Sequence, residues 1–212
     1  MKLTSIQRLG GISLIAGSLL LTAYAILRPL VLPVKEKITD ITKIIQDPNW
    51  MWLSTIAFIG VLLMVLGFLG VYSRIYANSG IVGLIGFILI ELAYILQACQ
   101  LAWEIFLFPV IVSNAQSISL FRDGIIFHSS LFSLFRVIFM ITIFLGILIF
   151  CTALVIFSNF HKSAGILIII GAIVYAIGPA LSTYVGVAGI LVLSIGCFVL
   201  GTGLIKGREK TA

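Results

Sequence analysis

The chain has 212 residues, of which 61% are hydrophobic and only 9% are charged, with a mean hydropathy of +1.27 and a net charge of +6. A soluble domain is typically about 45–50% apolar and about 25% charged, and a small soluble domain cannot bury so much apolar surface. The composition therefore excludes a lone soluble enzyme, a disordered chain and a disulfide scaffold.

Six apolar runs follow one another along the chain, each near or above the roughly 20 residues that a helix needs to cross a bilayer. Backbone groups cannot stay unpaired in lipid, and the runs lack the alternation of barrel strands, so we predict helices. The predicted fold class is all-α, a polytopic transmembrane helix bundle that forms a single integral membrane domain over residues 1–212. The predicted spans are 9–27, 51–72, 81–110, 131–157, 164–181 and 185–205.

The first and third runs each leave an alternative open. Lys2 and Arg8 precede the first run and Ala23-Tyr24-Ala25 follows within it, which is also typical of a cleaved signal peptide. We favour a retained span, because the apolar character continues to Leu27. The third run is too long for a perpendicular span, so it must tilt or break near Pro109.

The distribution of Lys and Arg predicts the orientation. Six spans place both termini on one side, which carries seven Lys and Arg against six on the other, and the tail Lys206–Lys210 is basic. We therefore expect both termini to be cytoplasmic, with the lipid bilayer as the partner of the protein. Nucleic-acid binding is not expected, since the 13 basic residues form no basic face.

The two long outer connections are predicted to contain interfacial helices. In the first, apolar residues recur at helical spacing among charged ones, at Val34, Ile38, Ile41 and Ile45. Asp47-Pro48 ends this pattern. This amphipathic helix is either a plain cap on the bundle or a surface for lipid or a partner. The second connection, 113–130, contains Gly124 as a helix breaker, and we expect a short helix there.

Small residues indicate where helices approach each other closely. Gly60 and Gly67 share one helix face, and Gly83 and Gly86 begin the third span. Such residues let backbones pack where lipid provides no hydrophobic force. A weak internal sequence similarity also relates the first two spans to the last two, since residues 11–17 share their Gly and Ile spacing with residues 165–171.

The third span carries the strongest functional signal, because five polar residues interrupt its apolar run. At about 100° per residue they form one drifting stripe on the helix. A charged residue at the bilayer centre costs roughly 2.5–3.5 kcal/mol, so the stripe should face the bundle interior or a wet cavity. This candidate intramembrane polar site, for a small polar or cationic ligand, comprises Glu91, Tyr94, Gln97, Gln100 and Glu104.

Two arginines are candidate ion-pair partners for this stripe. Arg136 and Arg28 both lie at the predicted depth of Glu104, and we expect a Glu104–Arg136 pair first and Arg28 second. Glu91 has no basic residue at its own depth. Two interpretations stay open: a proton or cation relay or ligand pocket, and a structural lock in which buried Glu and Gln hydrogen-bond between helices.

Other chemistry finds no support in the sequence. His128 and His161 fall in connections on opposite sides, so they cannot share a metal ion, and the three cysteines are isolated within spans. Nucleophile-elbow, zinc-protease and P-loop motifs do not occur. We predict no catalytic residue, no metal site and no cofactor.

Residues 49–113 contain three spaced patterns: Gly67-x-x-Gly70-x-Tyr72-x-Arg74, Gly80-x-x-Gly83-Leu84-x-Gly86-Phe87 and Trp103-Glu104-x-Phe106-x-x-Pro109. In these the chain resembles an uncharacterised family of bacterial six-helix, multi-pass membrane proteins. The resemblance implies a bacterial-type plasma-membrane protein and brings no assigned activity. The family often carries a His after a leading Trp, whereas Trp52 is followed here by Leu53, Ser54 and Thr55.

Three functions follow, in order of preference. The first is a non-enzymatic structural, accessory or stress-related membrane component. The second is a transporter or channel for a small solute, ion or proton that uses the polar stripe. The third is a membrane enzyme acting on lipid through outer residues, namely Glu104, Arg122, Asp123 and His128.

Overall fold

The computed structural model describes residues 3–32, 41–114, 116–122, 125–157 and 162–207. Every regular element in these ranges is a helix, so the all-α prediction is confirmed. Four helices are long and apolar enough to cross a membrane, which supports a membrane-embedded protein: Ser5–Val31, Pro48–Ser113, Ser130–Phe157 and Thr183–Lys206. A further apolar helix, Lys162–Gly178, is shorter.

The elements follow in the order α1 Leu3–Val31, α2 Ile41–Ile45, α3 Pro48–Ala102, a π-helix at Trp103–Leu107, α4 Phe108–Ser113, α5 Ile118–Arg122, α6 Ile125–His128, α7 Ser130–Phe157, α8 Lys162–Leu181 and α9 Thr183–Lys206. Of the amphipathic helix predicted over 34–45, only α2 falls within the described residues. The second connection contains two short helices, α5 and α6, rather than one.

Helix α3 is divided by Gly80, whose φ of 54° and ψ of −150° are not helical. Glycine adopts this conformation at no steric cost, which allows the chain to reverse here. Ring contacts show the reversal, because Tyr72 stacks on Phe87 with centroids 4.3 Å apart and Phe68 stacks on Tyr94 at 5.5 Å. Residues 48–79, the first arm, and residues 81–113, the second arm, therefore form an antiparallel hairpin.

Glycines bring neighbouring helices together, as predicted. The backbones of Gly10 in α1 and Gly70 in the first arm meet so closely that neither position has room for a Cβ atom. Gly86 of the second arm lies in the same way against Phe150 of α7, and Gly171 of α8 against Leu193 of α9. Close backbone approach increases the van der Waals contact that holds helices together in lipid.

The helices are arranged as a ring of antiparallel neighbours. The order around the ring is first arm, α1, α9, α8, α7 and second arm, and the Gly80 hairpin closes it. The two segments with similar Gly and Ile spacing, 11–17 and 165–171, each pack on the long helix that follows in the chain. Gly17 packs on Gly60 of the first arm, and Gly171 packs on Leu193 of α9. Phe68, Phe150 and Leu200 are among the side chains buried in the shared core.

A second apolar cluster covers the end of the bundle where α1 finishes and the hairpin arms begin and end. It joins side chains of the short helices to the two arms, and its buried members are Leu32, Ile44, Ile45, Trp50, Leu53, Phe108 and Val112. We call this cluster the cap. It lies next to Glu104, because its member Trp50 donates a hydrogen bond to the Glu104 carbonyl.

Candidate functional site

The backbone around Glu104 is a π-helix, and the sequence explains why one of its carbonyls has no backbone donor. The N–H of Phe108 bonds to the carbonyl of Trp103, five residues earlier. In this register the carbonyl of Glu104 would need the N–H of residue 109, which is a proline and has none. The indole Nε1 of Trp50 donates to that carbonyl instead, at 3.0 Å. The helical path therefore does not break near Pro109; it passes from α3 through the wider π-helix into α4.

The Glu104 carboxylate is buried, with 7% of the residue exposed, and both of its oxygens are hydrogen-bonded. Gln100 Nε2 donates to Oε1 at 3.2 Å, and Ser54 Oγ donates to Oε2 at 3.3 Å. The two donors come from opposite arms of the hairpin. A buried polar group whose bonding capacity is used in this way ties helices together at little cost.

Helix α1 contributes the positive charge of this site. Arg28 acts electrostatically on Glu104, and its guanidinium carbon lies 5.7 Å from the ring centroid of Tyr24. Tyr24 also interacts electrostatically with Glu104. We call these residues the Glu104 cluster: Tyr24, Arg28, Trp50, Ser54, Gln100 and Glu104.

The two candidate partners differ in their placement. The charge that acts on Glu104 is that of Arg28, the second choice from the sequence. Arg136, the first choice, is exposed on α7 and is not among the groups that act on Glu104. The physical reason is that α1 packs directly on the first arm, which brings Arg28 to the same end as Trp50 and Ser54.

The remaining stripe residues do not join the Glu104 cluster. Tyr94 is buried with 5% exposure, stacks on Phe68, and shares the bundle core with Cys151 of α7 and Cys197 of α9. Gln97 is half-buried. The stripe is therefore not one continuous polar site.

Glu91 has a different environment from Glu104. The residue is half-buried, yet its Oε1 atom is fully buried and has no hydrogen-bond partner among the described residues. Its neighbours one turn away on the outer side, Ile88 and Ile95, are 54% and 50% exposed. Tyr94, one turn away on the inner side, faces the core. Glu91 thus lies at the edge of the buried face.

Within the described ranges, no three His, Cys, Asp or Glu side chains are grouped so that they could hold a metal ion. His161 and Asp123 lie outside those ranges.

Cys151 and Cys197 are buried free thiols and Cys99 is an exposed one. An apolar depression on α7, lined by Met140, Ile141, Phe144 and Leu145, contains no stripe residue.

Sequence reasoning missed Tyr24, Trp50 and Ser54. A signal for Trp50 exists, because a proline five residues after Glu104 removes the donor that a π-turn would need. The choice of Trp50 and Ser54 depends on which helix packs against the second arm, and helical periodicity alone does not give that.

No known protein family, curated protein or solved structure matches this chain. The resemblance of residues 49–113 to a bacterial membrane-protein family therefore stays a prediction.

Proposed function

We propose that this chain is an integral plasma-membrane protein that crosses the bilayer six times and acts as a non-enzymatic structural or accessory component. The observation that carries the proposal is the Glu104 cluster, in which polar groups of the two hairpin arms satisfy one another by hydrogen bonds and the exposed Arg28 of α1 adds a positive charge. In this interpretation the hydrogen bonds of the site hold helices together and are not used to bind a solute.

The lengths of the helices support six crossings. The two arms separated by Gly80 have 32 and 33 residues, or about 48 Å each at about 1.5 Å per residue, against a hydrocarbon core of about 30 Å. Helix α8 adds a further apolar segment of 20 residues. With six crossings the two termini share one side, and the Lys and Arg bias favours a cytoplasmic location for that side.

A flux assay tests this proposal against transport. Purified protein is reconstituted into vesicles that contain a pH-sensitive dye, and an imposed proton or cation gradient is followed in wild type, Glu91→Gln and Glu104→Gln. A structural component gives the same decay as protein-free vesicles in all three. A faster decay in wild type that disappears in Glu91→Gln overturns the proposal.

Transport of a proton or small cation is the second candidate, and one observation favours it. Glu91, unlike Glu104, has a buried carboxylate oxygen that no described protein group satisfies. Ionisable groups inside membrane segments commonly mark ion and proton pathways. The flux assay decides between the two candidates.

A lipid-acting enzyme, the third hypothesis, gains no support from the described residues. Glu104 is buried and bonded within the bundle, His128 is exposed at the end of α6, and Asp123 is outside the described residues. Incubation of the reconstituted protein with lipid extracts tests this hypothesis, which requires a product that is lost in His128→Ala.

A further inference from the structure

We infer that Glu91 is a proton-binding site within the membrane, reached from the lipid side of the second arm. The inference goes beyond a structural role, because the Glu104 cluster does not use Glu91. It also does not depend on transport, since a carboxyl group can bind a proton without passing it on.

The position of Glu91 is the first argument. It lies 11 residues beyond Gly80, or about 16 Å along an arm of about 48 Å at about 1.5 Å per residue, so it falls within the part of a centred arm that a hydrocarbon core of about 30 Å would cover. The described Lys and Arg residues lie near helix ends or in connections. Arg74, the basic residue of the facing first arm, lies toward the Gly80 turn and is not among the groups that act on Glu91, so an ionised carboxylate here would lack a described counter-ion, and a bound proton removes the charge.

The surroundings of the carboxyl group are the second argument. The first arm presents aromatic rings near this level, and its Tyr72 stacks on Phe87. The titratable groups on this side of Glu91 are Tyr94 on the same arm, Cys151 of α7 and Cys197 of α9, which share the bundle core with Tyr94, and Tyr175 of α8. Each of these groups is neutral in its protonated form and offers no positive charge to a carboxylate.

The third argument excludes a metal cation as the ligand. Hard cations take about six to eight oxygen ligands, and transition metals take several His, Cys or carboxylate ligands. The described residues offer no group of three or more His, Cys, Asp or Glu side chains around Glu91. A proton needs only the single oxygen that is left without a partner.

The helix face on which Glu91 lies allows a reagent to reach it from the lipid. Ile88 and Ile95, the outer neighbours of Glu91, are about half exposed on the surface that the helix turns away from the core. A small apolar reagent dissolved in lipid can therefore reach the half-buried carboxyl group, whereas Glu104 lies beneath the cap with 7% exposure.

The lipid-soluble reagent dicyclohexylcarbodiimide tests the inference, because it reacts with a protonated carboxylic acid. The acid adds across one C=N bond, its proton goes to nitrogen, and acyl migration gives a stable N-acylurea with no leaving group. The protein is reconstituted in lipid vesicles, treated over a range of pH, and mapped by mass spectrometry. Glu91 should carry the label and Glu104 should not, and labelling should fall by about tenfold per pH unit once Glu91 ionises.

Controls make the result decisive. Glu91→Gln should abolish the label, Glu104→Gln should leave it on Glu91, and a membrane-impermeant charged carbodiimide should label Glu91 at least about tenfold less. The chain unfolded in SDS should be labelled at both acids, which shows that the reagent is active. An unlabelled Glu91 in the folded protein, labelling that does not change with pH, or equal labelling by the charged reagent would overturn the inference. Each of these outcomes is independent of the flux result.

Discussion

Glu91 and Glu104 lie 13 residues apart on the same arm of one hairpin, in similarly apolar sequence, yet they occupy different environments. Glu104 is buried, and both of its carboxylate oxygens and its backbone carbonyl accept hydrogen bonds. Glu91 is half-buried, and one of its oxygens has no partner among the described residues. The difference shows that the packing of neighbouring helices, rather than residue type, determines the burial and hydrogen bonding of each acid.

The neighbours on the first arm explain this difference. Opposite Glu104 the first arm presents Trp50 and Ser54, which both donate hydrogen bonds to that residue. Nearer to Glu91 the same arm presents Phe68 and Tyr72, whose rings stack on aromatic residues of the second arm. Polar and aromatic contacts are thus separated along a single helix–helix interface.

Replacing each acid by its amide gives the largest expected contrast. Glu104→Gln replaces an acceptor oxygen by an NH₂ group, so it should leave a donor unpaired and lower the free energy of unfolding by about 1–3 kcal/mol. Glu91→Gln should change it by less than about 0.5 kcal/mol, because no hydrogen bond is lost. Equilibrium unfolding in mixed micelles measures both variants, and equal losses would remove the distinction between the two acids.

The indole of Trp50 should have the next largest effect. Trp50→Phe removes the donor to the Glu104 carbonyl and some buried area, so the free energy of unfolding should fall by about 1–2 kcal/mol. Trp52→Phe is the matched control, because Trp52 Nε1 bonds to Asn49 Oδ1 at an exposed site. Its loss should be below about 0.5 kcal/mol. Similar losses in the two variants would show that the indole bond to Glu104 contributes nothing specific.

Pro109 tests the reason why Trp50 is needed. In Pro109→Ala the N–H of residue 109 becomes available to the Glu104 carbonyl, so the added Trp50→Phe substitution should cost about 1 kcal/mol less than it does in wild type. A double-mutant cycle of unfolding free energies measures this coupling. Additive losses would mean that the proline does not create the unpaired carbonyl.

The two arginines give the smallest predicted difference. Arg28 is exposed, so solvent screening limits its effect, and Arg28→Gln should lower the free energy of unfolding by about 0.5 kcal/mol. Arg136→Gln should leave it unchanged within error, because Arg136 does not act on Glu104. The reverse order would restore the Glu104–Arg136 pair that the sequence suggested first.

Much of the helical architecture follows from the sequence. Apolar runs predicted membrane helices, and Gly60, Gly86 and Gly171 lie at close helix contacts because a missing Cβ is a local property. The stripe was predicted in part, since Tyr94 and Glu104 are buried as the 100° periodicity requires.

The features of the site that could not be predicted from the sequence depend on long-range packing. Helical periodicity assumes a regular helix, and the π-turn at Trp103–Leu107 changes the register around Glu104. The choice of Arg28 over Arg136 depends on α1 packing on the first arm, which no pattern within either segment encodes. Trp50 and Ser54 share this origin.

The comparison of the two acids depends on residues 48–113 crossing the membrane twice, with the Gly80 turn on one side. Single cysteines at Gln46, Asn78 and Gln116, in a chain whose three native cysteines are replaced, test this with a membrane-impermeant maleimide. Label at Asn78 should come from one side, and label at Gln46 and Gln116 from the other. Label at Gln46 and Gln116 from opposite sides, as a single crossing requires, would contradict the account.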